Sequence, residues 1–342
     1  MNLVRKIGQM LVYGWGGELP EESRSINRHA RALIDEFHVG GIVLMGRNVE
    51  GNSPERMHAI VDEFQAMSTA TEMPPLLVAV DQEGGRVARF APPHFRTYPS
   101  AATLGEAADE AAVRRNGRAI GTELSSVGVN WVLAPVLDVN NNPANTVIGD
   151  RSYGSDPDLV ARLGVAALKG LQDEAGLLAC GKHFPGHGDT ETDSHRSLPV
   201  IRHGRERLDA IELKPFRAAI DAGIGSIMSS HILFPDLDPE YPATLSPKIL
   251  NGLLREELGF DGLIVTDDME MKGLASWSPA EAAVRAVIAG ADMLLVCHTY
   301  RTQRAIIDAL VDAATSGRLS EERIDEANRR IALAKKRWVV AD

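Results

Sequence analysis

Residues 156–184 read DPDLVARLGVAALKGLQDEAGLLACGKHF and contain the repeating unit that decides the fold. Residues 156–174 form an amphipathic helical segment, and the apolar run LLACGKHF follows at 177–184. A continuous apolar run is typical of a parallel strand, because helices cover both faces of a parallel sheet. The stretch therefore predicts an outer helix that leads into a buried parallel strand.

The alternation of helical segments and apolar runs continues along the whole chain. The other predicted strands are 9–15, 40–46, 75–81, 131–139, 225–233, 261–268 and 291–298. The other predicted helices are 21–37, 54–70, 107–127, 204–222, 246–258, 279–289, 301–316 and 319–337. Eight strands, nearly all followed by a helix, favour a closed barrel over an open sheet. We expect an α/β fold, a single (β/α)8 TIM barrel, in which residues 1–342 form one domain.

Composition and charge exclude several classes of protein. The formal net charge is −11 and no basic run occurs, so the electrostatic footprint of a nucleic-acid-binding protein is missing. The apolar stretch Met10–Trp15 is too short for an export signal or a membrane span. Cys180 and Cys297 each lie in an apolar run, which suits buried thiols in a reducing compartment. We therefore expect a cytoplasmic protein with no membrane contact and no obligate protein partner.

Chemically useful side chains collect at the C-terminal ends of the predicted strands. The active site of a (β/α)8 barrel lies at that rim. The charged and imidazole groups found there are Asp81, Lys182, His183, His231, Asp267, Asp268 and His298. Contact with water explains one polar residue at a strand end, but several such groups on one rim favour a functional site.

The loop at 182–195, KHFPGHGDTETDSH, carries three histidines among several acidic residues. Three interpretations are open: a metal site, a solvated polar loop, and a catalytic loop in which Asp193 orients His195. A proline and a glycine keep the first two histidines off one helix face, which disfavours a metal site. Asp193 and His195 are two residues apart, so on an extended segment both side chains point to the same side. A carboxylate beside an imidazole raises its basicity and fixes its tautomer, as general acid–base catalysis requires.

Two other strand ends place carboxylates beside informative neighbours. Residues 264–269, IVTDDM, put Asp267 and Asp268 where only one should enter the barrel mouth, because adjacent strand residues face opposite sides. A carboxylate fixed there suits attack on an anomeric carbon, but it also suits capping of the next helix, and alternation does not choose between the two aspartates. Residues 81–85, DQEGG, combine a carboxylate and an amide before a turn, which suits recognition of sugar hydroxyls.

Together these segments resemble glycoside hydrolase family 3. The motifs that carry the resemblance are DQEGGRV at 81–87, GDRSY at 149–153, KHFPGHGD at 182–189, DSH at 193–195 and TDDM at 266–269. They occur in the expected order over nearly the whole chain, and the KHFPGHG run followed by DSH is highly specific. Within the family, the chain is most similar to the bacterial cytoplasmic β-N-acetylglucosaminidases of cell-wall recycling. Many other members add a second α/β domain that supplies a carboxylic acid catalyst.

The resemblance implies a role for each matching residue. Asp267 corresponds to the nucleophile, and His195, partnered by Asp193, corresponds to the acid/base. The positions that hold the sugar are Asp81, Arg89, Arg151, Lys182 and His183. The implied activity is that of a retaining exo-β-N-acetylglucosaminidase (a β-N-acetylhexosaminidase), which releases terminal β-linked N-acetylglucosamine from peptidoglycan fragments through a covalent glycosyl–Asp intermediate. The expected partner is a small saccharide or glycopeptide, without a cofactor or a metal.

Four alternatives are weighed against this activity. A substrate-assisted hexosaminidase would use a paired Asp-Glu, which no motif here supplies, although Asp267-Asp268 imitate such a pair. A barrel metallohydrolase and a sugar-binding barrel without activity are the second and third. The fourth is a β-N-acetylglucosaminide phosphorylase, because neutral His195 would not repel a phosphate anion and Lys182 would attract one. Asp193 and the negative net charge oppose phosphate, so hydrolysis is the expected reaction.

Overall fold

The computed structural model describes residues 1–191 and 197–339 and has a barrel of parallel strands surrounded by helices. Within the described residues, eight strands form one sheet, and each is buried along its length. They are β1 (Leu11–Tyr13), β2 (Gly41–Leu44), β3 (Leu77–Val80), β4 (Trp131–Val132), β5 (Leu178–Phe184), β6 (Ser226–Ser229), β7 (Leu263–Thr266) and β8 (Leu294–Val296). The predicted (β/α)8 TIM-barrel fold is confirmed.

The sheet closes at the strands that lie nearest the two ends of the chain. β8 pairs in parallel with β1, with Leu11 opposite Leu294. On its other side, Val265 of β7 forms a parallel bridge with Met293, directly before β8. Because neighbouring strands run parallel around the closed sheet, their C-terminal ends meet at one rim.

Helices cover the outside of the barrel. The α-helices are α1 (Leu3–Gln9), α2 (Arg28–Asp35), α3 (Gly46–Val49), α4 (Pro54–Ala70), α5 (Ala101–Ala107), α6 (Glu110–Ser125), α7 (Pro157–Leu168), α8 (Arg205–Ala210), α9 (Lys214–Asp221), α10 (Pro279–Ala289), α11 (Tyr300–Thr315) and α12 (Glu321–Trp338). Stretches with π-helical hydrogen bonding are Lys169–Glu174, which continues α7, and Lys248–Glu257. Short 3-10 turns are Pro20–Arg24, Gly149–Arg151, Ala243–Leu245 and Lys272–Leu274. A small hairpin, Gln82–Gly84 and Val87–Ala88, follows β3.

Several helices begin where their capping residues predict. The Ser53 hydroxyl accepts a hydrogen bond from the Arg56 N–H, and the Ser278 hydroxyl accepts one from the Glu281 N–H. A proline follows each serine at the first helical position, where a missing N–H costs nothing. Side-chain caps of this kind fix the point at which each helix leaves its loop.

The structure differs from the sequence-based boundaries in several places. The strands are shorter than the apolar runs, because the runs continue into buried loops beyond the paired residues. The predicted helix 21–37 is a 3-10 turn followed by α2. The predicted helix 204–222 breaks into α8 and α9, and Pro215 lies in the first turn of the second segment. Helix α1 and the hairpin after β3 were not predicted, since both are short.

Two further expectations from composition concern buried thiols and membrane contact. Cys180 and Cys297 are buried and free, as their apolar surroundings in the sequence predict. Across residues 1–191 and 197–339, no helix combines the length and the apolar character that crossing a membrane requires.

Asp292 anchors the barrel at the end away from the rim. Asp292 lies two residues before β8, and its fully buried carboxylate contacts Arg255, Arg323 at 2.7 Å and Arg330 at 3.4 Å. It also accepts a hydrogen bond from the Ile264 N–H of β7 at 3.0 Å. Burial lowers the pKa of Arg255 to about 10 even with Asp292 beside it. One carboxylate therefore ties β7, α12 and the 248–257 segment together where the barrel closes.

We predict that Asp292→Asn lowers the free energy of unfolding by about 3–5 kcal/mol, because it leaves buried guanidinium groups without their counter-ion. The matched control is Asp261→Asn: Asp261 lies 3.8 Å from Arg330, but its side chain is 88% exposed. This control should change stability by less than about 0.5 kcal/mol. Urea unfolding at neutral pH measures both variants, and equal losses would contradict the role of Asp292.

Candidate active site

The rim formed by the C-terminal strand ends surrounds a cavity of about 530 Å³. Each predicted site residue that the structure describes lines it: Asp81, Arg89, Arg151, Lys182, His183 and Asp267. Asp81 and Asp267 follow β3 and β7, Lys182 and His183 lie near the end of β5, and the two arginines lie between strands, so barrel closure brings them together. Asp193 and His195 fall in 192–196 and lie outside the described residues.

Lys182 is buried between two carboxylates. Its Nζ lies 2.7 Å from Asp81 Oδ1 and 2.7 Å from Glu83 Oε1, and Arg89 Nη2 donates to Asp81 Oδ2 at 3.1 Å. Burial would raise the pKa of Asp81, but the positive charges of Lys182 and Arg89 outweigh it and hold that pKa well below its usual value. Burial would lower the pKa of Lys182, and the two carboxylates raise it instead. The cluster is therefore ionised at neutral pH.

Glu83 belongs to this network, although the sequence analysis did not select it. Its side chain is 5% exposed, and its two oxygens accept hydrogen bonds at 2.8 Å from Nε and Nη2 of Arg151. Such a bidentate pair fixes both the position and the plane of the guanidinium. The sequence contains a signal for it: Glu83 stands two positions after Asp81, and alternate residues of an extended segment face the same side.

Asp138, which the sequence analysis also missed, holds the end of β5 and the loop that follows it. It is fully buried and accepts hydrogen bonds from the His183 N–H at 3.1 Å, the His187 N–H at 2.7 Å and His183 Nδ1 at 2.7 Å. Burial would raise the pKa of Asp138, but His183 and the other donors lower it. His183 Nδ1 donates to the Asp138 carboxylate, and Nε2 lies on the other side of the ring, 3.4 Å from Arg151 Nη2.

Gly188 allows the loop that follows β5 to pack closely against the loop that follows β4. A Cβ atom at this position would lie 1.7 Å from the carbonyl oxygen of Val139, so only glycine fits. His187, one residue earlier, is buried, and burial lowers its pKa to about 4. The start of the histidine-rich loop is therefore fixed by packing as well as by Asp138.

Asp267 and Asp268 both line the cavity, contrary to the expectation that only one would enter it. The chain leaves the extended conformation at Asp267, so strand alternation no longer applies there. Asp268 is occupied: it accepts from the N–H groups of Cys297 and Glu270, each at 3.2 Å, and lies 3.2 Å from His298 Nε2. Asp267 Oδ1 accepts from the Asp268 N–H at 2.8 Å, whereas Oδ2 has no hydrogen-bond or ion-pair partner among the described residues.

The electrostatic surroundings keep Asp267 ionised. Burial would raise its pKa, but His183, His231, the Asp268 N–H and Lys182 together lower it below its usual value. Asp267 is therefore a carboxylate at neutral pH, with one oxygen directed to no partner in the described chain. This is the protonation state that a carboxylate nucleophile needs.

The two other rim histidines have different surroundings. His231 is buried, with Nδ1 2.9 Å from the Thr244 hydroxyl and Nε2 3.0 Å from the carbonyl oxygen of Asp268. Burial lowers the pKa of His231, so it is neutral and supports the turn after β7. His298 is half-exposed at the mouth of the cavity, where Arg47 Nη1 donates to its Nδ1 at 2.9 Å.

Among the residues that the structure describes, two groups of three side chains have donor atoms within 4.8 Å of one another, a spacing that suits a metal ion. They are Asp268, Cys297 and His298 at the rim, and Asp189, His203 and Glu212 beside the β5 loop. In the first group, Arg47 donates to His298 Nδ1 and so leaves the proton on Nε2, the atom that faces Asp268. In the second, Arg207 Nη2 lies 3.2 Å from Glu212 and 3.8 Å from Asp189. In both groups, therefore, hydrogen bonds and charges of the protein already hold the side chains that could bind a metal ion.

Comparison with known proteins identifies the family. The sequence profile of the glycosyl hydrolase family 3 N-terminal domain matches residues 2–334. A β-hexosaminidase of Methylococcus capsulatus is 40% identical over 280 residues, which are 81% of this chain and 81% of that protein. β-Hexosaminidase A of Pseudoalteromonas piscicida is 35% identical over 89% of this chain and 54% of its own length.

A solved structure shows the same similarity in three dimensions. It is a glycoside hydrolase family 3 β-N-acetylglucosaminidase from Paenibacillus, which superposes with a TM-score of 0.94 at 46% identity, over 98% of this chain and 62% of that one. The chain thus spans a little over half the length of the Pseudoalteromonas and Paenibacillus proteins. The profile match over nearly the whole sequence, on a closed barrel with this rim cavity, establishes that the chain belongs to glycosyl hydrolase family 3.

Proposed function

We propose that the chain is a retaining exo-β-N-acetylglucosaminidase, which removes a terminal, non-reducing, β-linked N-acetylglucosamine. The observation that carries the proposal is the ionised Asp267 carboxylate at the end of β7, with one oxygen unpartnered in the described chain and fixed cations around the same cavity. Double displacement requires a carboxylate placed to attack the anomeric carbon. The β-hexosaminidase and β-N-acetylglucosaminidase activities named for the relatives support this reaction.

In the first step, an Asp267 oxygen attacks the anomeric carbon while the bond from that carbon to the glycosidic oxygen breaks. Protonated His195, oriented by Asp193, gives its proton to the departing oxygen. In the second step, neutral His195 takes a proton from water, the water oxygen attacks the same carbon, and Asp267 is released. Two inversions at one carbon retain the β configuration. The roles of Asp193 and His195 rest on the DSH motif at 193–195.

The network around Lys182 positions the sugar for this attack. Asp81 accepts hydrogen bonds from sugar hydroxyls, and Arg89, Arg151 and Lys182 donate hydrogen bonds to hydroxyl oxygens. Buried carboxylates already hold these cations before substrate arrives, so little reorganisation is needed on binding. His183, oriented by Asp138, completes this side of the site.

Further arguments concern the natural substrate and the molecule that accepts the sugar in the second step. The family resemblance favours peptidoglycan fragments as the substrate and the cytoplasm as the location of the protein. The substrate and the location both remain predictions. The substrate-assisted alternative needs two cooperating carboxylates, and the commitment of Asp268 to Cys297, Glu270 and His298 argues against it. Water is the proposed acceptor, with phosphate as the alternative.

We predict that Asp267→Gly lowers kcat by about three orders of magnitude or more, since the covalent step loses its nucleophile. Added azide should restore turnover and give the α-glycosyl azide, because the small anion attacks from the space that the carboxylate vacates. Asp261→Asn, far from the rim, is the control and should keep full activity. Rescue by azide in Asp268→Gly instead of Asp267→Gly would reassign the nucleophile.

We predict that His195→Ala reduces kcat/KM for a disaccharide far more than for a dinitrophenyl glycoside. Protonation matters most for a poor leaving group, and general acid catalysis contributes about 10²–10⁴-fold. Asp193→Ala should act in the same direction. His58→Ala, on the outer helix α4, is the matched control. Equal losses on both substrates would rule out an acid role for His195.

We predict that free N-acetylglucosamine exceeds its 1-phosphate as product in millimolar phosphate. Water is far more concentrated, and the proposed pairing of Asp193 with His195 would bring a negative charge close to the acceptor. Products should be separated after turnover at fixed ionic strength, with sulfate in place of phosphate as the control. Sugar 1-phosphate as the main product would identify a phosphorylase.

A further inference from the structure

His231 is a buried histidine at the rim that the proposed chemistry does not use. It follows β6, its side chain belongs to a residue that is 1% exposed, and it is not one of the residues that line the catalytic cavity. Burial of an imidazole costs free energy unless its ring nitrogens have hydrogen-bond partners. The partners of His231 therefore indicate which part of the molecule this histidine stabilises.

The two ring nitrogens of His231 join the end of β6 to the turn after β7. Nε2 lies 3.0 Å from the carbonyl oxygen of Asp268, and Nδ1 lies 2.9 Å from the Thr244 hydroxyl. A carbonyl oxygen can only accept a hydrogen bond, so Nε2 carries a proton and donates it to Asp268. The ring is neutral at neutral pH, because burial lowers the pKa of His231. His231 is thus a single oriented donor to the backbone at Asp268.

The peptide group between Asp268 and Met269 is held at both ends. Its carbonyl oxygen accepts the hydrogen bond from His231, and its N–H donates to the carbonyl oxygen of Leu295 in β8 at 2.9 Å. One contact on each side of a planar peptide group prevents it from rotating about its flanking bonds. His231 and Leu295 therefore fix the conformation of the backbone at Asp268.

The backbone at Asp268 in turn sets the direction of the nucleophile. The Asp268 N–H donates to Asp267 Oδ1 at 2.8 Å, and the Asp267 N–H donates to the carbonyl oxygen of Ser229 in β6 at 3.1 Å. With Oδ1 held in this way, the carboxylate turns only if the Asp268 N–H moves with it. The position of Asp268 therefore determines where Oδ2, the oxygen without a partner in the described chain, is directed.

We propose that His231 is a positioning residue for the nucleophile, which holds Asp267 Oδ2 in line with the anomeric carbon through the backbone of Asp268. The proposal rests on the proposed glycosidase function and adds a residue that does not touch the sugar. Misplacement of a reacting group by about 1 Å costs about 10²-fold in rate. Loss of the His231 donor should therefore slow the attack by Asp267 and leave the binding of the sugar unchanged.

The test measures His231→Leu with and without the nucleophile. With Asp267 present, kcat/KM for a dinitrophenyl β-N-acetylglucosaminide reports the attack by Asp267, and it should fall about ten- to a hundredfold. In the Asp267→Gly protein azide replaces the carboxylate, so the added His231→Leu should change the rate of α-glycosyl azide formation by less than about twofold. His231→Gln keeps an N–H donor and should recover most of the lost activity.

Thr244→Val decides the test if His231→Leu does not fold, because it removes only the hydroxyl beside Nδ1. It should lower kcat/KM about three- to tenfold with Asp267 present and leave the azide reaction unchanged. His58→Leu, on the outer helix α4, is the control and should match the wild type.

Equal losses with and without Asp267, no loss when Asp267 is present, or no recovery in His231→Gln would overturn the positioning role. Activity of the wild-type protein in the same assay would leave the glycosidase proposal intact in each of these cases. A wild-type protein that does not cleave the dinitrophenyl glycoside would overturn the glycosidase proposal itself.

Discussion

The burial of Lys182 between Asp81 and Glu83 is the interaction on which the proposed site depends. A lysine ammonium that is 2% exposed is stable only if its charge is matched, and two carboxylates at 2.7 Å match it. The same carboxylates hold Arg89 and Arg151, so one buried cation sets the position of the donors around the cavity. Barrel closure is what makes the contact possible, since Lys182 lies near the C-terminal end of β5 while both carboxylates follow β3.

The sequence predicted the architecture well because a parallel barrel leaves a strong periodic signal. Eight apolar runs alternate with amphipathic segments, and the structure places a strand in each run. Boundaries were less predictable, since apolar residues such as Val136 and Leu137 fill the interior beyond the last paired residue of β4. The break between α8 and α9 was also missed, because the composition of 204–222 is helical throughout and only Pro215 marks the interruption.

The candidate site could be predicted where residues of known chemistry end a strand. Six of the seven charged and imidazole residues selected in this way line one cavity, and His231 does not. Arg89 and Arg151 line it too, but the family motifs selected them. Glu83 and Asp138 were missed because their importance lies in what they hold, Arg151 and His183, and such contacts join distant segments of the chain. The choice between Asp267 and Asp268 likewise needed the structure, since only the turn after β7 shows which carboxylate is already occupied.

The central claim, that Asp267 forms a covalent bond to the sugar, is tested most directly by trapping the intermediate. A 5-fluoro N-acetylglucosaminide with a good leaving group should form the glycosyl–enzyme quickly and release it slowly, because fluorine disfavours the oxocarbenium-like transition state. After proteolysis, we predict that tandem mass spectrometry finds the fluoro-sugar on the peptide of β7 and places it on Asp267. A label on Asp268, or turnover of the reagent without any covalent adduct, would contradict the mechanism.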